Sequence, residues 1–261
     1  MRCGMAYKYG IDSYQLAAAQ VITTQQLNEI DFHICRIGTR GYGSMGTAAW
    51  YTRQFSVDAY CQANIQATQA AGKAMGLYVF SYAWDQTSAE READDVCDIL
   101  DTWGITLELP IFLDWESTGD STGSYEMFQS QIGHTITTAE LEIIFEAFHQ
   151  RCAQRGRRGC MYFNGWFYNY LLPAAWIEAQ RAAGNYFWLA QWQNTPDPPY
   201  PCDVWQYAGD RYYIGSITTN FAVDQNYLIN PNIIGGSSIP IWLKIKIAQG
   251  GDSRGRHTIL L

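Results

Sequence analysis

The sequence predicts an α/β barrel, and three observations carry that expectation. Short apolar runs recur along the chain, and the first five are each followed by a stretch with helical patterning or a capping signal. After the fifth pair the rhythm changes to three strand-like runs joined by Pro-, Gly- and polar-rich loops. Eight strands suffice to close a barrel whose interior is filled by side chains, and alternation with helices makes the sheet mainly parallel. At 261 residues the chain fits one large domain of this type with a small appendage.

The elements follow in order. A first strand over Tyr7 to Ser13 carries Asp12 near its end, and Thr23-x-x-Gln26 opens a helix as a capping box. Phe32 to Ile37 is the second strand; it runs into a glycine-rich loop, Gly38 to Gly46, suited to walling a cleft. That loop lacks the Gly-Lys-Ser/Thr ending of a phosphate loop, so no nucleotide is assigned to it. A helix is expected from Val57 to Ala71 with Gly72 just past its end, then a strand from Leu77 to Tyr82. Thr87-x-x-Glu90 reads as the start of the next helix, which ends near Gly104. The run Leu109 to Glu116 is the fourth strand, and the polar stretch from Ser117 to His134 reads as a long loop. Thr137-x-x-Glu140 caps a helix running to Arg155; Cys160 to Phe163 is the fifth strand, and residues 166–183 are helical. The closing strands are Phe187 to Trp192, Val204 to Tyr207 and Phe221 to Asp224. From Asn232 the chain changes character, and Trp242 to Ile247 alternates as a half-buried strand would. Residues 1–231 are therefore read as the barrel and 232–261 as a short C-terminal β extension of unknown role.

Composition narrows the partners. A net charge of −8 opposes binding to a phosphate backbone, so nucleic acid is not expected. No apolar run approaches the roughly 20 residues needed to span a bilayer, and the start lacks the apolar centre of a secretory signal. The expectation is a product made in the cytoplasm without membrane insertion. Seven scattered Cys without a Cys-x-x-Cys pair read as buried thiols, with neither a disulfide framework nor a zinc site. No metal or other cofactor is expected. The chain is rich in aromatics, with ten Trp and 18 Tyr, most of which a core would absorb.

The chemistry concentrates where the fourth strand stops. Side chains alternate along a strand, so Asp114 and Glu116 share one face and Trp115 takes the other. Barrel active sites gather at the C-terminal strand ends, where Asp12 and Asp224 are also expected. Taken alone, Asp12 reads sooner as a strand-end cap or a partner for Arg36 or Arg40 than as a site acid, and Asp224 as part of a turn. Tyr82, Tyr162, Trp192 and Gln206 suit a sugar-binding cleft, with core packing an equal reading. His33 lies within a strand and reads as structural, because no acid or nucleophile is spaced to make it a base.

Several segments, taken in order, resemble the family 25 glycoside hydrolases, the Chalaropsis-type lysozymes. They are Gly10-Ile11-Asp12-Ser13-Tyr14-Gln15, Arg36-Ile37-Gly38, Arg40-Gly41-Tyr42-Gly43, Phe80-Ser81-Tyr82, Phe112-Leu113-Asp114-Trp115-Glu116, Tyr162-Phe163-Asn164, Trp188-Leu189-Ala190-Gln191-Trp192, Trp205-Gln206-Tyr207 and Val223-Asp224-Gln225-Asn226. Two departures are Trp192, where Tyr is common, and Leu16 after Gln15, where Gly is usual. The resemblance implies a modified TIM-like (β/α)5(β)3 barrel. It also implies hydrolysis of the β-1,4 bond between N-acetylmuramic acid and N-acetylglucosamine in peptidoglycan, without a cofactor. By position Glu116 matches the general acid, and Asp12, Asp114 and Asp224 match the other acids of the site. The expected setting is a phage endolysin or a wall-remodelling lysozyme acting at the bacterial wall after release. A wall-binding or virion barrel with little hydrolytic activity, and a hexosaminidase acting on chitin-like chains, are the alternatives. Retaining, inverting and substrate-assisted routes all stay open, as does the oligomeric state.

Overall fold

A computed structural model describes residues 7–14, 21–193 and 195–235. Its strands are β1 (Lys8–Ser13), β2 (Phe32–Thr39), β3 (Ser56–Val57), β4 (Ala74–Phe80), β5 (Ile111–Asp114), β6 (Gly159–Asn164), β7 (Phe187–Ala190), β8 (Val204–Ile214) and β9 (Ile217–Leu228). The helices are α1 (Thr24–Asn28), α2 (Ala48–Thr52), α3 (Cys61–Ala70), α4 (Gln86–Trp103), α5 (Ser124–Ile132), α6 (Thr138–Gln154), α7 (Gly165–Tyr170) and α8 (Ala174–Ala182). No helix among the described residues is long and apolar enough to cross a membrane.

The eight longer strands close into a barrel in the order β1, β2, β4, β5, β6, β7, β8, β9 and back to β1. Neighbours from β1 to β8 are parallel, whereas β9 runs antiparallel to both β8 and β1. The expected plan of five strand–helix units and three closing strands is the one observed, with β3 as a small addition beside β2.

Alternation along the strands sorts the side chains into two layers. Phe32, Ile34, Tyr78, Phe112, Cys160, Tyr162, Trp188, Val204 and Leu228 pack together inside the barrel. Their sequence neighbours Cys35, Leu77, Val79, Ile111, Leu113, Met161, Phe163 and Leu189 pack outward in the larger cluster that includes residues of α4 and α6. Gly10 is required by the inner layer: a Cβ there would lie 2.5 Å from the Phe32 ring.

Several local expectations need correction. Ser56 and Val57 pair with β2, so the helix expected from Val57 begins at Cys61. α4 is capped by Asp85 and Ser88 in a reciprocal box, two residues ahead of the box expected at Thr87 and Glu90. The segment read as a loop from Ser117 to His134 contains α5, whose Met127 and Phe128 are buried. The helical stretch 166–183 is divided into α7 and α8, with Pro173 at the N-cap of the second. β8 and β9 extend well past their apolar cores because they form one antiparallel hairpin. Asp224 consequently lies within β9, and an antiparallel strand brings its middle to the rim that the other strands reach with their C-terminal ends.

Residues 231–235 turn beneath the barrel: Ile233 is buried, and the Gly235 amide donates to the Glu108 carbonyl at 2.9 Å. Gln15 and Leu16, and the strand expected over Trp242 to Ile247, lie outside the described residues. His33 sits between Ser13 Oγ at 2.8 Å and Thr68 Oγ1 at 3.0 Å, and burial pushes it down to about 3. It is a neutral structural histidine. The six described cysteines are buried free thiols.

Above the barrel, Arg40 ties the glycine-rich loop together. Its guanidinium, 2% exposed, pairs with Asp95 of α4, donates to the carbonyls of Trp50 and Arg53, and faces the Trp50 ring at 5.2 Å. Removing one member of a buried ion pair strands the other, so Arg40→Ala is expected to lower unfolding free energy by about 3–5 kcal/mol. Urea denaturation of the two proteins measures this; a loss below about 1 kcal/mol, typical of exposed pairs, would contradict the role.

Candidate active site

The site is the next layer of the barrel interior. On β5 the inward positions run from Phe112 to Asp114, and the chain continues to Glu116 beyond the strand end. On β4 the same face passes from Tyr78 through Phe80 to Tyr82, and on β6 from Cys160 to Tyr162. β1 contributes Asp12, β8 Gln206 and β9 Asp224. An apolar floor of Tyr78, Tyr162 and Trp188 thus carries a ring of acids. Trp115 points the other way, fully buried, with its indole N–H donating to the Ala83 carbonyl at 2.8 Å.

These groups line a cleft of about 640 Å³ that contains Asp12, Asp114, Glu116, Asp224, Tyr82, Tyr162, Trp192 and Gln206, all eight residues singled out from the sequence. A smaller lobe of about 320 Å³ adjoins it and shares Glu116, Tyr162, Trp192 and Gln206. Thr39 and Tyr42 of the glycine-rich loop wall the larger lobe.

Asp12 and Asp224 face each other directly across the antiparallel β1/β9 ladder. Asp12 Oδ2 accepts from Asn226 Nδ2 at 2.7 Å and from Gln206 Nε2 at 3.0 Å. Asp224 accepts from the Asp210 amide at 2.7 Å and from Gln206 Nε2 at 3.3 Å. Gln206 therefore bridges the two acids, while its carbonyl accepts from Trp192 Nε1 at 2.9 Å. Neither arginine considered as a partner for Asp12 takes that role, since Arg36 pairs with Asp58 at 2.8 Å and Arg40 with Asp95.

Burial governs the protonation of the cluster. It pushes Asp12 well up, helped by the charge of Asp224 and opposed by the Asn226 and Gln206 hydrogen bonds. Asp114 is raised well above the usual carboxylate range by burial and Glu116, and Arg36 acts against this. Asp114 Oδ1 is buried and has no hydrogen-bond partner among the described residues. Burial lifts Glu116 to about 7, opposed by its hydrogen bond with Tyr162 and assisted by Asp224 and Glu126. Asp224 is lifted to about 6 by burial, with the Asp210 amide opposing. Like charges crowded in a poorly solvated site cannot all ionise, so some of these carboxyls hold protons near neutrality.

The tyrosines and the tryptophan differ in availability. The Tyr82 hydroxyl donates to the Thr122 carbonyl at 2.7 Å, and its ring meets Tyr42 edge-on at 5.6 Å. Trp192 is 55% exposed and offers a ring to the cleft. It packs against Gly209, where a Cβ would lie 2.0 Å from the indole.

Three contributors carried no signal strong enough to single them out. Asn226 shares the inward face of β9 with Asp224, two residues away, and the segment Val223 to Asn226 gave it no role of its own. Asp210 adopts φ 53°, unusual for a residue with a Cβ, at an irregularity in the β8/β9 ladder that aims its amide at Asp224. Glu92 of α4 reaches back to accept from Ser81 Oγ at 2.5 Å and the Tyr82 amide at 2.9 Å. It is wholly buried, which raises it to about 8. Among the described residues no cluster of His, Cys, Asp and Glu is arranged to hold a metal ion.

A closed barrel whose carboxylates converge on a groove at one rim is the architecture of a barrel enzyme working by acid–base chemistry. The chain belongs to the glycosyl hydrolases family 25, whose model matches residues 52–216. That segment contains Asp114 and Glu116, whereas Asp12 and Asp224 lie outside it and are supplied by barrel closure. No curated protein is matched by sequence. Among solved structures, the modular autolysin LytC from Streptococcus pneumoniae, captured with a synthetic peptidoglycan ligand, is 20% identical with a TM-score of 0.60. The match covers 84% of this chain and 46% of LytC, so the chain spans less than half the length of that protein. The Clostridium perfringens spore cortex lytic enzyme SleM is 20% identical with a TM-score of 0.61, covering 85% of this chain and 67% of its own. The bacterial lysozyme from Streptomyces coelicolor is 18% identical with a TM-score of 0.56, covering 89% and 99%. All three share the barrel fold.

Two expectations follow from the electrostatics. Asp210→Asn removes a negative charge that raises Asp224 while keeping the amide donor, so the Asp224 pKa falls. Carbon-13 carboxyl titration reads the shift, and an unmoved value would assign the elevation to burial alone. Glu92 carries its proton in the fold from its ordinary 4.5 up to about 8, a window in which the unfolded chain has already lost it. Its contribution to stability is therefore full below about 4.5 and lost as pH rises through about 8. Glu92→Gln should have a shallower decline in melting temperature between pH 5 and 8 than the parent, and parallel declines would refute the assignment.

Proposed function

We propose that the protein is a muramidase that hydrolyses the β-1,4 bond between N-acetylmuramic acid and N-acetylglucosamine in peptidoglycan. The observation that carries this reading is Glu116, lifted to about 7 and placed where the two lobes of an acid-lined cleft meet. Such a carboxyl keeps its proton near neutrality yet releases it readily, as a general acid must. Family membership and the barrel shared with lytic enzymes support the same conclusion.

In this reading Glu116 protonates the bridging oxygen as the bond from the muramic-acid C1 breaks, and the bonding electrons leave with that oxygen. Charge developing at C1 is stabilised by the ionised members among Asp12, Asp114 and Asp224. Asp114 lines the cleft and has no partner at Oδ1 among the described residues, which favours it as the acceptor for the N–H of the muramic-acid acetamido group. That contact orients the acetamido oxygen toward C1. Water then adds at C1, Glu116 takes its proton, and the site returns to its starting state. Trp192 supplies a stacking face for a sugar, Tyr82 and Tyr162 shape the pocket, and Gln206 holds Asp12 and Asp224 in place.

The setting we propose is the bacterial wall, reached after phage lysis or outside the cell. Residues 1–231 form the hydrolase unit and 232–261 an appendage whose role the chemistry of the site does not require. The intact acid cluster favours an enzyme over a barrel retained only for wall binding.

Digestion of purified walls with mass spectrometry of the fragments tests the assignment. New reducing ends on N-acetylmuramic acid are expected, and reducing ends on N-acetylglucosamine would overturn it. Glu116→Gln, which cannot donate the proton, should lose about 10²–10⁴-fold in kcat. The pH profile of kcat/KM should be a narrow bell. Its acidic limb follows carboxylates of the Asp224 type, near 6, which must be ionised, and its alkaline limb follows Glu116, near 7, which must be protonated. A profile flat from pH 5 to 9 would exclude Glu116 as the donor.

A further inference from the structure

The two lobes of the cleft differ in the carboxylates they hold. Asp12, Asp114 and Asp224 line the larger lobe together with Glu116, whereas Glu116 alone of the four lines the smaller one. Positive charge developing at C1 belongs with the three carboxylates, so the cleaved sugar occupies the larger lobe. The leaving sugar then falls in the smaller lobe, on the side of the proton donor.

Beyond that smaller lobe the surface carries aromatic side chains that no core accounts for. Trp166 is 40% exposed and Tyr170 71% exposed. Their positions four apart on α7 put them on one helix face, with ring centroids 5.7 Å apart. Trp166 also meets Tyr125 of α5 edge-on at 5.2 Å. Both helices are anchored to the site. Asn164, which lines the smaller lobe, caps α7 by accepting from the Trp166 amide at 3.1 Å and the Phe167 amide at 3.2 Å. The Tyr125 amide donates to the Glu116 carbonyl at 3.1 Å. The aromatic group is thus tied through α7 and α5 to Asn164 and Glu116, two residues that line the smaller lobe.

We propose that Tyr125, Trp166 and Tyr170 form a ledge that binds the glycan strand beyond the scissile bond, toward its reducing end. The occupant is the N-acetylated aminosugar chain itself, whose apolar ring faces stack on aromatic side chains. This rests on the muramidase reading given above. Binding energy from remote sugars holds the strand in register for cleavage, so longer chains are cut more efficiently and at preferred distances from their reducing end.

The test uses stem-free glycan chains of alternating N-acetylglucosamine and N-acetylmuramic acid, tetramers and octamers, tagged at the reducing end. The parent should favour octamers in kcat/KM and leave a preferred length of tagged fragment. Trp166→Ala and, separately, Tyr170→Ala should cut the octamer-to-tetramer ratio by about three- to tenfold and scatter the tagged fragments. Tyr170 is exposed enough that its loss tests the ledge without threatening the fold. Ile143→Ala, at an exposed site on α6, serves as the control and keeps the ratio. An unaltered ratio and fragment pattern in both ledge variants would overturn the proposal. Should the parent cleave nothing, the muramidase reading fails, and calorimetry on the Glu116→Gln protein still decides the ledge. Octamer binding weakened about three- to tenfold by adding Trp166→Ala supports it, and equal affinity refutes it.

Discussion

The pairing of β9 with β1 is the constraint on which the site depends. It closes the barrel, and because β9 runs antiparallel it sets Asp224 directly opposite Asp12. Gln206, from the strand on the other side of β9, then bridges both carboxylates, and Asn226 adds a second donor to Asp12. A parallel ninth strand would bring only its last residues to that rim. The reversal delivers a strand interior, whose ladder on both edges fixes each side chain more firmly than a loop would.

Below the acids lies a packed aromatic layer, with Trp188 in contact with Tyr78, Phe112 and Tyr162. Tyr78, Tyr162 and Trp188 of this floor line the same cleft as the acids, and burial heads the causes of elevation for Asp12, Asp114, Glu116 and Asp224. The same burial that costs stability when these groups ionise keeps a proton available for transfer. Arg36, held by Asp58 and facing Tyr14, supplies positive charge near Asp114. All four acids are raised and crowded together, so they share fewer charges than there are carboxyls near neutrality and a proton stays within the cluster.

The walls are built by short-range hydrogen bonds from the outer layer. Arg40 joins the glycine-rich loop to α4, and Glu92 of the same helix holds the chain at Ser81 and Tyr82. Ser124, at the start of α5, donates to the Ser81 carbonyl at 2.6 Å and is placed 3.4 Å from the Glu116 amide, linking the ends of β4 and β5. The helices therefore do more than cover the barrel. They set the height and spacing of the rim from which Tyr82 and Glu116 project.

Alternation of apolar and polar residues is a local property, and it made much of this protein readable from its sequence. The five strand–helix units, the three closing strands and the shared face of Asp114 and Glu116 all follow from periodicity, as does the outward turn of Trp115. α5 escaped because its one buried pair, Met127 and Phe128, is too short a stripe to stand out from a polar stretch. The β8/β9 hairpin escaped because its outer part carries polar and half-exposed residues whose strand character comes from pairing with each other. The partners that some of these residues find far along the chain were equally invisible. Gln206 meets Asp12 across 194 positions and Asn226 meets it across 214, and no local pattern encodes either contact. The sequence by itself determined which side chains face inward on each strand; only closure of the barrel decided which of them meet. Facing is set by the backbone of a few residues, whereas meeting is set by the register of strands that lie at opposite ends of the chain.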